Sequence, residues 1–373
     1  MKKILLPLLV CFAWNASGQL TFPPDADNEK SRVSQWIGPV EITITYNSPN
    51  VHTDDGADRT GHIWGDLVPY GFTDPRFGTS KSSPWRAGAN ENTTISFSHD
   101  VKIEGKELQA GTYGFFIAVE REKPWTLIFS KNSTSWGHYF YDEKDDALRV
   151  QVNAKDSEFT EWLTYGFENR LPNTCTAYLQ WEKKKIAFKI DVEDVNGIYL
   201  AGIKNDLKGA AGFDWKNWQS AAIFCASNNY QLEEALKFAE AAISMRFVGV
   251  ENFQTLQTKA SVLEAMGKND EASATMNKAL RHSSAGVFDV HTYAKQLLSE
   301  GKKEKALEIF KLNKELHPEE KFVTYVGLAR GYTANNDKKN AIKNWEIAIK
   351  NLPADQKMYL PQYEAELKKL KES

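Results

Sequence analysis

None of the short signatures that announce a reaction is present: there is no H-E-x-x-H, C-x-x-C, G-x-S-x-G, phosphate loop or G-x-G-x-x-G. Cysteine is scarce, three in 373 residues, which excludes a disulfide framework. Basic charge is not in excess, with 46 Lys and Arg against 49 Asp and Glu, so the basic footprint of a nucleic-acid reader is missing. No apolar run reaches the roughly 20 residues that an anchoring helix needs. What is there is ordinary globular composition, 42% hydrophobic and 25% charged, in a chain long enough for about two to three domains.

The first eighteen residues read as an export signal: Met1-Lys2-Lys3 is a positive start, Ile4 to Trp14 a short apolar stretch, and Ala16-Ser17-Gly18 the small residues before a cleavage point ahead of Gln19. Loss of Lys2 and Lys3 takes the net charge from -3 to -5. Cys11 lies inside the apolar stretch after Val10, where lipid attachment wants a small residue. The expectation is an exported chain, periplasmic or secreted, with no transmembrane segment in its mature form. Cys175 and Cys225 remain; two buried free thiols are expected, with an interdomain bridge as the alternative.

The chain divides near residue 200. Seven of eleven tryptophans (36, 64, 85, 125, 136, 162 and 181) fall between Gln19 and Leu200, and aromatic residues favour pleated surfaces. Residues 19–200 carry 19 basic and 27 acidic side chains, net -8; residues 201–373 carry 25 and 22, net +3.

Alternation marks the first half as strands. Ile42, Ile44 and Tyr46, then Leu148, Val150 and Val152, then Ile186, Phe188, Ile190 and Val192 each recur every second residue, the period of a half-buried strand. Further runs lie at 93–98, 113–119, 125–130, 162–168 and 174–181, with turns at Glu104-Gly105-Lys106 and Ala110-Gly111-Thr112. Eight or nine short strands without an intervening helical pattern predict an antiparallel β-sandwich or barrel over 19–193.

The second half repeats. Ala235, Ala272, Ala306 and Ala341 are separated by 37, 34 and 35 residues, close to the 34-residue tetratricopeptide period. Ala260, Ala294 and Ala329 stand twelve before the last three, where paired helices cross closely; Phe310 and Trp345 stand four after, and Pro318 and Pro353 twelve after. Gly267 and Gly301 fit the turns between helices. A helical linker over 194–213 and about four repeats with a closing helix over 214–373 are expected, an α-helical solenoid after the β domain. The first repeat is atypical, with Ile223 at the small crossing position.

Candidate chemistry is sparse. His52, His62, His99 and His138 show no ligand spacing on one element, so surface or hydrogen-bonded histidines are expected and no metal or cofactor is assigned. Asp142, Glu143, Asp145 and Asp146 lack the alternating pattern and glycine of a calcium loop and are expected in a solvated turn. Lys183-Lys184-Lys185 is expected in a hairpin turn. The segments Ile63 to Gly71 and Trp85 to Glu91 gather aromatic, glycine and polar residues in loops. Trp64, Tyr70, Trp85, Arg86, Asn90 and Glu91 therefore form a candidate ligand platform, with a loop folded over the end of the sandwich as the alternative.

Several of these segments, taken in order, resemble one family: I-T-I-T-Y, I-W-G-D-L-V-P-Y-G, W-R-A-G-A-N-E-N-T-T-I, A-G-T-Y-G-F-F, W-T-L-I-F, L-R-V-Q-V, L-T-Y-G-F and Y-L-Q-W-E. The stretch from Ser34 to Val192 resembles the exported bacterial family of domain of unknown function 2911, whose members often continue into tetratricopeptide-like helices. The resemblance implies the compartment and the layout and supplies no mechanism. Two departures from its pattern are the acidic insertion His52 to His62 and the insertion Phe72 to Pro84.

The function expected from these observations is a non-enzymatic envelope scaffold whose helical repeats hold a protein or peptide. Asn217, Gln254, Gln257, His291, Lys295 and Arg330 fall at the groove-lining positions of the first helices, and their mildly basic character suits an acidic peptide or C-terminal carboxylate. The alternatives are a carbohydrate or glycan module on the Trp64 to Glu91 platform and a hydrolase using Glu91 and Glu168.

Overall fold

The computed structural model describes residues 28–372; the expected export signal and Cys11 lie outside the described residues. The chain divides into two compact units between Val195 and Asn196.

The first unit holds ten strands: β1 (Asn28–Ile37), β2 (Val40–Pro49), β3 (Thr94–Phe97), β4 (Val101–Ile103), β5 (Lys106–Leu108), β6 (Gly111–Ala118), β7 (Trp125–Ser130), β8 (Asp146–Val152), β9 (Lys155–Leu171) and β10 (Thr174–Asp191). They form two antiparallel sheets, ordered β1-β2-β3-β6-β7-β8 and β5-β4-β10-β9. The expected antiparallel two-sheet architecture is present. Phe115 of β6 and Phe129 of β7 meet Phe188 of β10 at ring separations of 5.7 and 6.0 Å, and Tyr46 of β2 meets Tyr165 of β9 at 4.7 Å. These contacts fill the space between the sheets, and removing one such ring costs about 3–5 kcal/mol in a packed core. Strands β6 and β7 are buried on both faces, because Tyr141 covers Phe116 and Ile128 from outside.

Two local expectations change. Lys183 to Lys185 do not form a hairpin turn; β10 runs straight through them, and the irregularity is a bulge at Glu182, whose φ is 51°. The lysines stay in the strand because Lys184 and Lys185 reach Asp156 and Glu168 on β9, each at 2.6 Å. Asp146 is not solvated: it starts β8 and accepts from Tyr141 Oη at 2.8 Å and Arg149 Nε at 2.6 Å.

The second unit is helical: α1 (Val195–Asp206), α2 (Trp215–Ser227), α3 (Leu232–Ser244), α4 (Phe253–Ala265), α5 (Asn269–Leu280), α6 (Val287–Ser299), α7 (Lys303–Leu316), α8 (Val323–Ala334), α9 (Lys338–Lys350) and α10 (Leu360–Glu372). Helices α2 to α9 pack as consecutive pairs, and the first helices α2 and α4, and likewise α6 and α8, also touch, which is the tetratricopeptide arrangement. Ala260, Ala294, Ala306, Ala329 and Ala341 are all buried, as close helix crossings require. Gly267 and Gly301 occupy the turns with φ of 75° and 78°, a conformation that favours glycine. Helix starts are capped by Asp214, Asn252 and Asp337, each satisfying N–H groups that have no partner within the helix. Helix α1 is no passive spacer: Leu200, with Leu207 just past its end, packs on Ala221, Cys225 and Phe238.

Among the described residues, no helix is long and apolar enough to cross a membrane.

Candidate functional site

A cavity of about 550 Å³ opens in the β unit, lined among others by Arg59, Trp85, Arg86, Asn90, His138 and Trp181. The segment leading to β3 builds one wall. Trp85 exchanges two backbone hydrogen bonds with Ile117 of β6, at 3.1 and 2.9 Å, so this segment extends the line of β3 along its neighbour. Ala87 is fully buried with φ of 52°, a left-handed conformation unfavourable for a residue with a Cβ. Its carbonyl accepts from Tyr165 Oη at 2.7 Å and Thr93 Oγ1 at 3.0 Å, which hold it there. Gly88 follows by necessity, since a Cβ would stand 2.6 Å from Thr93 Oγ1 and 3.1 Å from the Asn47 carbonyl.

Arg86 is fixed by two donations, Nε to His138 Nδ1 at 3.1 Å and Nη1 to the Asn90 carbonyl at 2.8 Å. Its guanidinium lies 5.0 Å from the centre of the Tyr139 ring. Gly137, with φ of 60°, lets it pass where any Cβ would collide. Burial, and then the Arg86 charge, push His138 down to about 4, so the imidazole is neutral at pH 7 and accepts at Nδ1. Among the described residues Arg86 forms no ion pair.

The insertion 72–84 adds a second wall. Thr73 and Ser83 close it by reciprocal backbone bonds of 3.0 and 2.9 Å, and Thr79 and Ser80 N–H groups hold the Tyr139 carbonyl. Phe77 packs edge-on against Tyr139 at 5.2 Å. The other insertion is tied down by Glu161, which accepts from the N–H groups of Val51 and His52 at 3.0 and 2.7 Å and pairs with the His52 ring at 2.7 Å.

The six platform residues do not come together. Trp85, Arg86 and Asn90 line the cavity just described; Trp64 and Tyr70 line a different one of about 430 Å³ with Arg121 and Trp125. Trp64 is mostly packing: its ring sits 5.0 Å from Trp125, 5.8 Å from Trp85 and 5.9 Å from Trp181. Glu91 lines neither cavity and instead accepts from Asn47 at 2.7 Å and Lys30 at 3.3 Å. Burial works to raise its carboxyl, but its own N–H and these two donors outweigh that and hold it below the usual range. Glu168 is engaged by Lys185, so the two carboxylates considered for hydrolysis each serve a separate lysine. Arg59 and Trp181 are cavity residues that the sequence did not place at a site, and His138 was expected only as a surface or hydrogen-bonded histidine.

On the helical unit, His291, Lys295 and Arg330 come together on α6 and α8. Arg330 Nη1 lies 3.5 Å from His291 Nε2. Burial, then Arg330 and Lys295, push the His291 ring down to about 4. Neither Arg330 nor Lys295 has a carboxylate partner among the described residues, because Glu320 is spent on the start of α8, accepting from the N–H groups of Phe322, Val323 and Thr324 at 3.0, 2.9 and 2.7 Å. The other groove positions do not join them. Asn217 donates to the Ala211 carbonyl at 2.8 Å, Gln254 is exposed on α4, and Gln257 lines a separate cavity of about 350 Å³ with Glu264, Gln296 and Lys302.

Both cysteines are buried free thiols, Cys175 on β10 and Cys225 on α2. Among the described residues, no three His, Cys, Asp or Glu side chains are placed to hold a metal ion.

Residues 28–190 match the family described as a protein of unknown function, DUF2911. The DUF2911 segment thus contains both sheets apart from the last residue of β10, together with both insertions and the cavity. Solved structures similar to this chain include YrrB, a tetratricopeptide protein described as having an unusual peptide-binding site, at 18% identity over 43% of this chain and 79% of that one, TM-score 0.27. Another is a tetratricopeptide repeat protein from Parabacteroides merdae ATCC 43184, at 16% identity over 47% of this chain and 67% of that one, TM-score 0.31. No curated protein matches the chain.

Proposed function

We propose that the chain is an exported, non-enzymatic scaffold of the bacterial envelope whose helical repeats hold the acidic end of a protein partner. The observation that carries this reading is the pair of cations on neighbouring first helices, Lys295 of α6 and Arg330 of α8, beside a neutral buried His291 and without a carboxylate of their own among the described residues. A C-terminal or side-chain carboxylate supplies what they lack. Charge-assisted bonds to a guanidinium are roughly twice as strong as neutral ones and fix geometry as well. Stacked helix pairs add the extended surface along which the rest of a peptide lies.

Export rests on the leader-like sequence of residues 1–18. Cell fractionation with N-terminal sequencing is expected to recover a chain beginning at Gln19 outside the cytosol; a chain retaining Met1 in the cytosol sinks that part.

Groove binding is tested on the full mature chain by fluorescence anisotropy, using an acidic peptide with a free C-terminal carboxylate and its amidated twin. Alanine at both Lys295 and Arg330 is expected to weaken the acidic peptide about tenfold, of the order reported for one lost charge-assisted bond. Equal affinity of wild type and double variant removes the groove assignment.

A further inference from the structure

The cavity of the β unit belongs to a different part of the chain from the helical groove, and its lining has a distinct chemistry. Its volume of about 550 Å³ falls within the roughly 300–1,000 Å³ of small-molecule sites. Trp85 and Trp181, both in its wall, stack with planes 19° apart and centroids 6.2 Å apart. Trp181 backs Trp85, which is the more exposed of the two rings, and a flat aromatic surface favours a flat apolar body.

Two cations share the lining with one acid. Arg59 and Arg86 form no ion pair among the described residues, and Asp74 is the acidic side chain that lines the cavity with them. Arg86 commits Nε and one Nη1 proton to His138 and Asn90, leaving Nη2 without an acceptor among the described residues. Its orientation is nevertheless fixed, by those two bonds and by the Tyr139 ring beneath it. A guanidinium fixed in orientation with its Nη2 unspent is prepared for the oxygens of an anion.

A second observation is independent of charge. Trp181 is 1% exposed, yet its indole Nε1 has no hydrogen-bond acceptor among the described residues. A buried donor left unmade costs about 1–3 kcal/mol, and native interiors keep such groups rarely. An oxygen-bearing molecule in the cavity is a means of relieving that cost.

We propose that the β unit binds a small aromatic carboxylate, its flat body against Trp85, which Trp181 backs, and its carboxylate between Arg86 and Arg59. An uncharged sugar leaves both guanidiniums without a counter-charge, so it is the weaker fit. A phosphate monoester shares the anionic oxygens but not the planar two-oxygen edge, so it is the discriminating competitor.

The experiment titrates the full mature chain with 2-naphthoate, 2-naphthamide and 2-naphthyl phosphate, following tryptophan fluorescence and, in parallel, calorimetry. Saturable binding of 2-naphthoate is expected, with the neutral amide at least tenfold weaker. Arg86→Lys keeps the charge and loses the fork; it is expected to weaken the carboxylate about tenfold. Because Arg86 also braces the Asn90 carbonyl, Arg59→Ala serves as the second variant, expected to weaken binding severalfold with an unchanged melting temperature. Equal binding of acid and amide, no binding of 2-naphthoate up to millimolar concentration, or full affinity in both variants overturns the proposal. Tighter binding of the phosphate than of the carboxylate overturns the assigned class.

Discussion

Arg86 donates from Nε to Nδ1 of His138 across 3.1 Å, a permanent cation bonded to an imidazole that stays neutral. Nδ1 accepts, so the ring proton resides on Nε2. The partnership joins the entry segment of β3 to the stretch between β7 and β8, 52 residues away.

That neutrality has a pH signature. The folded-state value of about 4 lies below the ordinary 6.5, so the unfolded chain takes up the proton first on acidification. The contribution of His138 to the stability of the β unit is expected to be full above pH 6.5, to fall as pH drops below it, and to stop falling near pH 4. His291 imposes the same sign on the helical unit, by up to about 3 kcal/mol across that window. Nuclear magnetic resonance titration of the two rings checks both: neither resonance is expected to move between pH 8 and 5.5.

His52 behaves in the opposite sense. Its hydrogen bond with Glu161 raises its value above 6.5 against a smaller opposing effect of desolvation. The stabilisation this pair contributes is fully present below pH 6.5 and is lost as pH rises through the folded-state value. In a Glu161→Gln variant the His52 titration midpoint is expected to move back down toward 6.5; an unmoved midpoint counts against the pairing.

Two glycine substitutions should diverge in sign. Gly88→Ala places a Cβ 2.6 Å from Thr93 Oγ1, and crowding of that kind costs about 1–3 kcal/mol. Gly202→Ala lies inside exposed α1 with nothing within 4 Å, where alanine gains about 0.5–1 kcal/mol over glycine. Denaturant melts of the two variants measure the difference.

The thiols should be silent. Burial pushes Cys175 up to about 11 and raises Cys225 as well, so neither is a thiolate near pH 8. Ellman's reagent is expected to leave Cys175 and Cys225 unmodified on the native protein and to react with both after denaturation. Rapid native reaction at either excludes the buried placement.

The helical half was legible because its signal is periodic and its cause simple: alanines at 260, 294, 306, 329 and 341 stand where helices touch, and all are buried. The two-sheet half was legible where residues alternate, as in β2 and β8, or run apolar, as in β6 and β7. β1 escaped because it is an edge strand of mostly polar residues, and only Ile37 of it is buried. The single strand β10 looked like two, since three consecutive lysines imitate a turn when the acids on β9 that receive them are out of view. In the cavity, Trp85, Arg86 and Asn90 announced themselves as neighbours in sequence. Trp181 and the contact of His138 with Arg86 did not, because His138 arrives on the stretch between β7 and β8 and Trp181 on β10 of the other sheet, both far from Trp85 along the chain.

The insertion 72–84 closes on itself through Thr73 and Ser83 and rests on the Tyr139 backbone, while supplying Asp74, Pro75 and Pro84 to the cavity wall. It belongs to no named strand of either sheet. Anchored by Phe72 against Tyr141 at 6.3 Å, it stands outside both ladders as a rim, so that a longer or shorter hairpin-like loop reshapes the cavity's mouth while the strand register stays as it is.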